Sequence, residues 1–477
     1  MHNEMGLFID GQWRTSTASG GEYVLNPADE SELGWLPHAG DADLQAAVDA
    51  ARRGFGIWRK TPAKARGDVL KKAAALITDE RDVLAKIITL EQGKPLAESL
   101  GEVDRAVETF QWNGEQAKNV GETLVAERGA GVQQTMLPQP LGISLGLTAW
   151  NFPIILPARK LGPALAAGCS MILKASEETP GTAVALVKIL ERAGLPAGVV
   201  NLVFGVPAHI SKFLFPKEEI RKISFTGSVP VGKLLAGLAA PTLKRCTFEL
   251  GGHSPAIVCE DADLPTALDT LAGFKFRNAG QVCIAPSRFY VHKKHFDAMV
   301  DGFVERAERQ KLGNGLDDGV TMGPMANARR VTAMEDFIRD ATNKGARVLT
   351  GGKRYGNAGF FFEPTVMVDV ANDAKILNVE PFGPVAPLMP FTDLDEVIEK
   401  SNTLAYGLAS YAFTQSAKTA DRLADELEAG GVAINTAAPM QADAPFGGVK
   451  DSGIGYEGGI EGIESFLHKK SVSRANV

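Results

Sequence analysis

Short apolar runs alternate with helix-length amphipathic stretches along much of the chain, and the alternation falls into two blocks. The first begins at residue 143, where apolar runs at 143–148, 170–174, 199–203, 222–225 and 247–250 are separated mostly by segments of helical period. Such runs, spaced by helices of roughly ten residues, predict a parallel sheet covered on both faces. The second block opens near residue 255, with strands predicted at 256–259, 287–292, 346–349, 385–391 and 432–435 and helices from Leu264 and through Arg309. Upstream, Leu44, Ala47, Val48, Ala51 and Phe55 recur at helical spacing behind Asp41, which is placed as an N-cap, and Val69, Leu70, Ala73, Leu76 and Ile77 repeat the stripe. A third helix, 83–92, stops at Gly93 with Pro95 just beyond. Leu7-Phe8-Ile9 reads as a strand closed by Asp10-Gly11, and the polar residues after it read as surface meander. The stripes are core faces and carry no chemistry.

Two stretches stand outside both blocks. Residues 122–141 read as a hairpin turning through Arg128-Gly129-Ala130-Gly131, and 466–477 as a matching strand. An exposed ribbon with apolar residues invites pairing, so both are read as contacts between subunits of a homo-oligomer.

A chain of 477 residues exceeds one small core, so two or three domains are expected. An apolar share of 45% and a charged share of 22% are those of a soluble globular protein. The formal charge of -7, with no Lys/Arg run and no aromatic–basic interleaving, excludes nucleic acid from the expected partners. No segment nears the roughly 20 apolar residues that span a bilayer, so no membrane is expected. Met-His-Asn-Glu-Met-Gly has neither the basic flank nor the apolar run of a secretory signal. Four cysteines (Cys169, Cys246, Cys259, Cys283) without a C-x-x-C pair fit a reducing compartment, and a cytoplasmic location is expected.

Parallel sheets bind ligands beyond the carboxyl ends of their strands. Those ends carry Trp150-Asn151-Phe152-Pro153, Lys174-Ala175-Ser176-Glu177, Phe225-Thr226-Gly227-Ser228 and Glu249-Leu250-Gly251-Gly252. Segment 227–233 nearly matches a P-loop, but Leu234 stands where a Ser or Thr would hold magnesium, which disfavours ATP. The segment follows a strand and opens a helix, so Ser228 and the first helical N–H groups can meet a pyrophosphate. Lys174 and Glu177 suit ribose hydroxyls, and a carboxylate there repels the 2′-phosphate of NADP; NAD is expected before NADP. Gly453 to Gly458 matches the dinucleotide fingerprint letter for letter, yet no clear strand precedes it, and it reads as a flexible loop.

Cys283 follows the small residues Ala279 and Gly280, and Arg277 stands nearby; a loop under a positive field favours thiolate. Glu249, at a strand end beside two glycines, is placed like a general base, and Asn151 offers an amide donor for an oxyanion. His292 and His295 have no cysteine cluster at zinc spacing, so no metal is expected. His253 lies near Glu249 but lacks the orienting partner of a Cys–His hydrolase.

The chain resembles the aldehyde dehydrogenase superfamily from Phe8 to about Ser473. The carrying segments are Leu90-Glu91-Gln92-Gly93-Lys94-Pro95, Trp150-Asn151-Phe152-Pro153, Phe225-Thr226-Gly227-Ser228, Glu249-Leu250-Gly251-Gly252, Gly280-Gln281-Val282-Cys283, Glu380-Pro381-Phe382-Gly383-Pro384 and Pro445-Phe446-Gly447-Gly448. The resemblance implies an α/β fold with a Rossmann-like NAD domain (1–121 and 142–252), an α/β catalytic domain (253–450) and a small β oligomerisation arm and tail (122–141 and 451–477). It implies Cys283 as nucleophile, Glu249 as general base and Asn151 with the Cys283 backbone N–H as oxyanion hole. Cofactor contacts would come from Trp150, Lys174, Glu177, Phe225, Gly227, Ser228, Leu250, Glu380 and Phe382, in a homodimer or homotetramer. One departure is Ala175, where many members have proline.

Lys275-Phe276-Arg277-Asn278-Ala279-Gly280-Gln281 and Thr148-Ala149-Trp150-Asn151 are similar to the succinate-semialdehyde dehydrogenase branch. There Arg159 and Arg277 would bind the substrate's distal carboxylate. Segments 174–180 and 445–459 resemble the related 2-oxoglutarate-semialdehyde dehydrogenases. Ala285 replaces a second cysteine found in some members, and the 437–444 loop, with Pro439, Met440 and Gln441, lacks the serine expected to help hold succinate semialdehyde. The expected activity is NAD-dependent oxidation of a short carboxylated aldehyde through a cysteine thiohemiacetal and thioester. The alternatives are an aromatic or broad-range aldehyde dehydrogenase and a non-catalytic protein on the same scaffold.

Overall fold

The computed structural model describes residues 5–121, 123–128, 132–437 and 441–475; the turn residues 129–131, and Pro439 and Met440 of the 437–444 loop, lie outside the described residues. The strands predicted from residue 143 onward form the parallel centre of an eight-stranded sheet. Its order is Gly453–Ile454, Arg245–Glu249, Ile220–Thr226, Ile143–Leu147, Ser170–Lys174, Val200–Val203, Leu7–Ile9, Gln12–Arg14. Every residue of Ile143–Leu147 and Ser170–Lys174 is buried, as the near-continuous apolar runs require of strands packed on both faces. Helices Ile155–Ala167 and Asp41–Trp58 pack on them.

The chain leaves Ile143–Leu147 toward one edge, then returns to place Ile220–Thr226 on its other side. The loops after these two strands therefore diverge, and the crevice between them is where a ligand fits. Trp150 and Asn151 follow the first strand, and Gly227 and Ser228 the second.

A second sheet runs Arg347–Thr350, Thr365–Val368, Val385–Phe391, Pro286–His292, Ser254–Val258, Ala409–Phe413, Gly431–Ile434, antiparallel only at its first pair. Thr365–Val368 and Ala409–Phe413 are strands that the sequence reading passes over. A ribbon of Leu467–Ala475, Val132–Pro140 and Thr123–Arg128 joins the predicted hairpin to the tail, from Leu467 opposite Pro140 to Ala475 opposite Val132.

Several expectations are corrected. The supposed meander holds an antiparallel edge strand, Gln12–Arg14, and a two-stranded ladder, Gly21–Leu25 with Glu32–Pro37. Gly40, not Asp41, is the N-cap of Asp41–Trp58, because the carboxylate of Asp43 turns back to accept the Gly40 N–H at 3.0 Å. The fingerprint-like stretch is no flexible loop: Gly453–Ile454 pairs with Arg245–Glu249, and Gly459–Glu464 is a short helix. Residues 451–475 are therefore not one arm, since their first part completes the large sheet and Leu467–Ala475 joins the ribbon. Helix Leu96–Gln116, with Pro95 at its N-cap, was not foreseen.

Candidate active site

Helix Leu264–Phe276 ends before a short turn, Arg277–Gly280, in which Asn278, Ala279 and Gly280 take φ of +49°, +51° and +71°. Left-handed backbone costs a residue with a Cβ about 1–2 kcal/mol, so surrounding contacts must hold the turn. The Asn278 N–H donates to Glu98 Oε2 at 2.9 Å, and its Nδ2 donates to the carbonyls of Asn151 at 3.1 Å and Gln281 at 3.3 Å. Gln281 Oε1 accepts from the Ala326 N–H at 2.9 Å. Gly280 admits no side chain, since a Cβ would stand 2.2 Å from the Gly383 carbonyl oxygen. Asn278, Ala279 and Gly280 are buried, and these contacts hold the turn that leads into Cys283.

Beside the Cys283 thiol lies Glu249, whose carboxyl it hydrogen-bonds. Burial, and after it the Glu457 carboxylate, raise the Glu249 carboxyl from its ordinary value to about 7. Its Oε1 has no hydrogen-bond partner among the described residues. The thiolate expectation is corrected: burial and then Glu249 push the thiol well above its ordinary range, and Arg159 is a cation that opposes the rise. Asn151 donates from Nδ2 to the Gln281 carbonyl at 3.1 Å, which anchors the amide two residues from Cys283 and leaves its second N–H available.

A cavity of about 330 Å³ opens on the thiol, lined by Cys283, Glu249, Arg159, Arg277, Phe152 and Phe274 among others. Burial depresses both guanidinium pKa values, and neither group makes a hydrogen bond or ion pair with a described residue. Arg277 lies 5.5 Å from the Phe152 ring centroid.

The other proposed contacts gather at the strand ends of the first sheet, outside this cavity. Lys174 Nζ donates to Glu177 Oε2 at 2.6 Å, and Glu177 Oε1 accepts the Gly205 N–H at 3.1 Å. Ser228 is the N-cap of helix Val229–Ala239 and its hydroxyl is not used for capping. Glycines let that helix close on the strand ends: a Cβ on Gly227 would stand 2.4 Å from Phe225 Cζ, and one on Gly232 2.5 Å from Leu250 Cδ1. Trp150 meets Phe382 edge to face at 5.6 Å. Glu380 Oε1 accepts the Gly252 N–H at 3.1 Å, and burial raises its carboxyl to about 8. The two sides converge at Gly252, where a Cβ would meet the Cys283 carbonyl oxygen at 2.6 Å. An uncapped helix N-terminus for a pyrophosphate, a fixed carboxylate for ribose hydroxyls and paired aromatic walls fit a nicotinamide dinucleotide.

His253 is buried, with Nδ1 at 2.7 Å from Ser287 Oγ and Nε2 at 3.0 Å from the Ile376 carbonyl, so it braces the second sheet. Among the described residues no cluster of three or more His, Cys, Asp or Glu has the placement of a metal site, and no helix is long and apolar enough to cross a membrane.

Sequence reasoning missed one face of helix Leu96–Gln116. Glu98, Glu102 and Arg105 fall at helical spacing on it: Glu98 holds the turn before the thiol, and Glu102 accepts the Ile154 N–H at 3.0 Å and Lys94 Nζ at 2.6 Å. Arg105 lines the cavity. Lys160, missed as well, donates to Glu457 Oε1 at 2.6 Å and Thr226 Oγ1 at 2.9 Å. Ionic residues recurring on an otherwise apolar stripe were the available signal.

The model of the family described as "Aldehyde dehydrogenase family" matches residues 13–472. A 3-sulfolactaldehyde dehydrogenase from Pseudomonas putida is 43% identical over 98% of this chain and 97% of its own. A succinate-semialdehyde dehydrogenase [NADP(+)] from Escherichia coli (strain K12) is 40% identical over 98% of each chain. The NAD+ complex structure of an aldehyde dehydrogenase from Bacillus cereus superposes with a TM-score of 0.97 at 35% identity, covering 99% of this chain and 97% of that one.

Proposed function

The chain belongs to the aldehyde dehydrogenase family, and from that premise we propose that it oxidises a short aldehyde with an anionic far end to the carboxylic acid, using NAD. It is an oxidoreductase acting on aldehydes, and a nicotinamide coenzyme serves it. Succinate semialdehyde and 2-oxoglutarate semialdehyde are the carboxylated substrates of this reading. The observation that carries it is the pair Arg159 and Arg277, two mostly buried cations without a protein acceptor, in the cavity that ends at Cys283. Buried charges require partners, and a carboxylate accepting from both supplies one. A sulfonated aldehyde is the second reading, favoured by the likeness to the Pseudomonas putida enzyme.

In this reading Cys283 is the nucleophile. Glu249, hydrogen-bonded to the thiol, accepts its proton as the sulfur adds to the aldehyde carbon, and the alkoxide meets the free N–H of Asn151 and the Cys283 backbone N–H. A nicotinamide held there would supply the hydride acceptor, and the adduct without its hydride is a thioester of Cys283. Glu249 first releases the thiol proton to solvent, then deprotonates a water that attacks the thioester and passes that proton to the departing thiolate, so the acid leaves with Cys283 regenerated. A carboxyl with a pKa of about 7 suits both roles, because at neutral pH it holds and releases protons with equal ease.

Coenzyme is held, on this reading, by Lys174, Glu177, Ser228, Glu380, Trp150 and Phe382, with Phe225, Gly227 and Leu250 shaping the floor. The preference for NAD over NADP rests on the Glu177 carboxylate, fixed by Lys174 and the Gly205 N–H. We take the first sheet as the coenzyme half and the second as the catalytic half. The ribbon of Val132–Pro140 and Leu467–Ala475 supports a homodimer or homotetramer, and the four free thiols support a cytoplasmic location.

The test compares kcat/KM for succinate semialdehyde, butanal and benzaldehyde in the wild type and in Arg277→Gln. Losing one charged hydrogen bond costs about 2 kcal/mol, so the variant should lose roughly 30-fold on the anionic aldehyde. Near-equal wild-type values for the three aldehydes would contradict the proposal.

A further inference from the structure

Arg105 is the third guanidinium on the cavity that holds Cys283, Arg159 and Arg277. Its positive charge is among those that depress the pKa of Arg159 and of Arg277, so it stands close enough for mutual repulsion with each. The carboxylates around it do not quench it in equal measure. Asp104 is held by Arg81 through two bonds of 2.5 and 2.6 Å, and Glu102 is held by Lys94, so the two acids nearest in sequence already have partners. Glu108 lines the rim and is exposed, and Glu249 at the floor has a pKa of about 7. The Arg105 guanidinium, like those of the other two arginines, makes no hydrogen bond or ion pair with any described residue. Three like charges facing one cavity without protein acceptors repel one another, and an anion with enough acceptor oxygens removes that cost.

Two arginines already satisfy a carboxylate, which has two oxygens. A third guanidinium calls for a third acceptor. We propose that Arg105 is a specificity-determining residue that selects aldehydes whose far end presents three acceptor oxygens, a 2-oxo carboxylate or a sulfonate, over a simple carboxylate. This rests on the anionic-aldehyde reading above and sharpens it. Arg105 lies on the rim, exposed, on the same helical face as Glu98 and Glu102, so the helix that braces the catalytic turn also presents the third cation. The forked geometry of guanidinium suits a shared oxyanion, and lysine at this position would supply charge without the fork.

The experiment measures kcat/KM of wild type, Arg105→Gln and Arg105→Lys on succinate semialdehyde, its sulfonate counterpart 3-sulfopropanal, and 2-oxoglutarate semialdehyde, with butanal as a neutral reference in the wild type. Each ratio to succinate semialdehyde is internal to one preparation, so partial misfolding of a variant does not move it. The expected result is that Arg105→Gln lowers at least one of the two ratios about tenfold, through KM and not kcat, as the loss of a charge-assisted hydrogen bond predicts, with Arg105→Lys between. A fall confined to 3-sulfopropanal assigns the third oxygen to a sulfonate, and one confined to 2-oxoglutarate semialdehyde assigns it to the 2-oxo group. Ratios that stay constant overturn the inference even when the wild type prefers all three anionic aldehydes to butanal. A wild type that does not prefer them overturns the underlying reading as well.

Discussion

Lys160 and Glu457, far apart in the chain, form a buried ion pair of 2.6 Å within electrostatic reach of the candidate general base. Lys160 is also held by Thr226 and Ser224, so the ammonium keeps partners when the carboxylate is removed. After burial, Glu457 is the largest influence raising the Glu249 pKa. Replacing it by Gln removes a negative neighbour and leaves the Lys160 charge uncompensated. Both changes favour the ionised form of Glu249. In Glu457→Gln the acid limb of the pH profile for thioester hydrolysis should move from near pH 7 to lower pH by about one unit. The variant should also lose about 3 kcal/mol of stability for the broken buried pair. Single-turnover hydrolysis across pH 5–9 measures the limb, and an upward shift contradicts this account.

The same raised carboxyl has a consequence for folding. The pKa of Glu249 is about 7 in the native protein against an ordinary value of 4.5, so between these values the unfolded chain releases a proton that the native one retains. Native stability from this group is therefore full below pH 4.5 and falls as pH rises through 7. The loss reaches about 3 kcal/mol by pH 8. Glu249→Gln cannot ionise. Denaturant melts at pH 5 and pH 8 should show the variant gaining about 2–3 kcal/mol on the wild type between the two, and parallel curves would count against the buried ionisation.

Coenzyme choice follows from a carboxylate that cannot swing away. Glu177 is fixed at 2.6 Å from Lys174 Nζ and 3.1 Å from the Gly205 N–H. Glu177→Gln removes the repulsion toward a 2′-phosphate while its amide oxygen keeps accepting the Gly205 N–H. The ratio of kcat/KM with NADP to that with NAD should rise at least about tenfold. A wild type that prefers NADP defeats the argument before any variant is made.

The parallel strands and the residues at their ends were legible because buried runs and polar strand ends are local signals. Asn151, Glu249 and Cys283 could be nominated from chemistry, and the family resemblance joined them. What was not legible depends on contacts distant in sequence. Gly93 and Pro95 read as a stop, and they do end helix Arg81–Gln92, but Pro95 is also the N-cap of Leu96–Gln116, whose Glu98, Glu102 and Arg105 support the site. Gly453–Ile454 is too short to show alternation and is a strand only because Arg245–Glu249 offers it an edge. The protonation of Cys283 was misread because Arg277 is near in sequence, whereas burial and Glu249 dominate in space.

The central claim is that the aldehyde carbon becomes bonded to Cys283 and leaves by hydrolysis assisted by Glu249. Its most direct test is mass spectrometry of Glu249→Gln mixed with NAD and succinate semialdehyde, then digested. A succinyl thioester should form on the peptide containing Cys283, slowly because no carboxylate takes the thiol proton but persisting because none activates water, and it should be absent without NAD and absent in Cys283→Ala. Succinyl label on another residue, or full turnover by Cys283→Ala, would contradict the account.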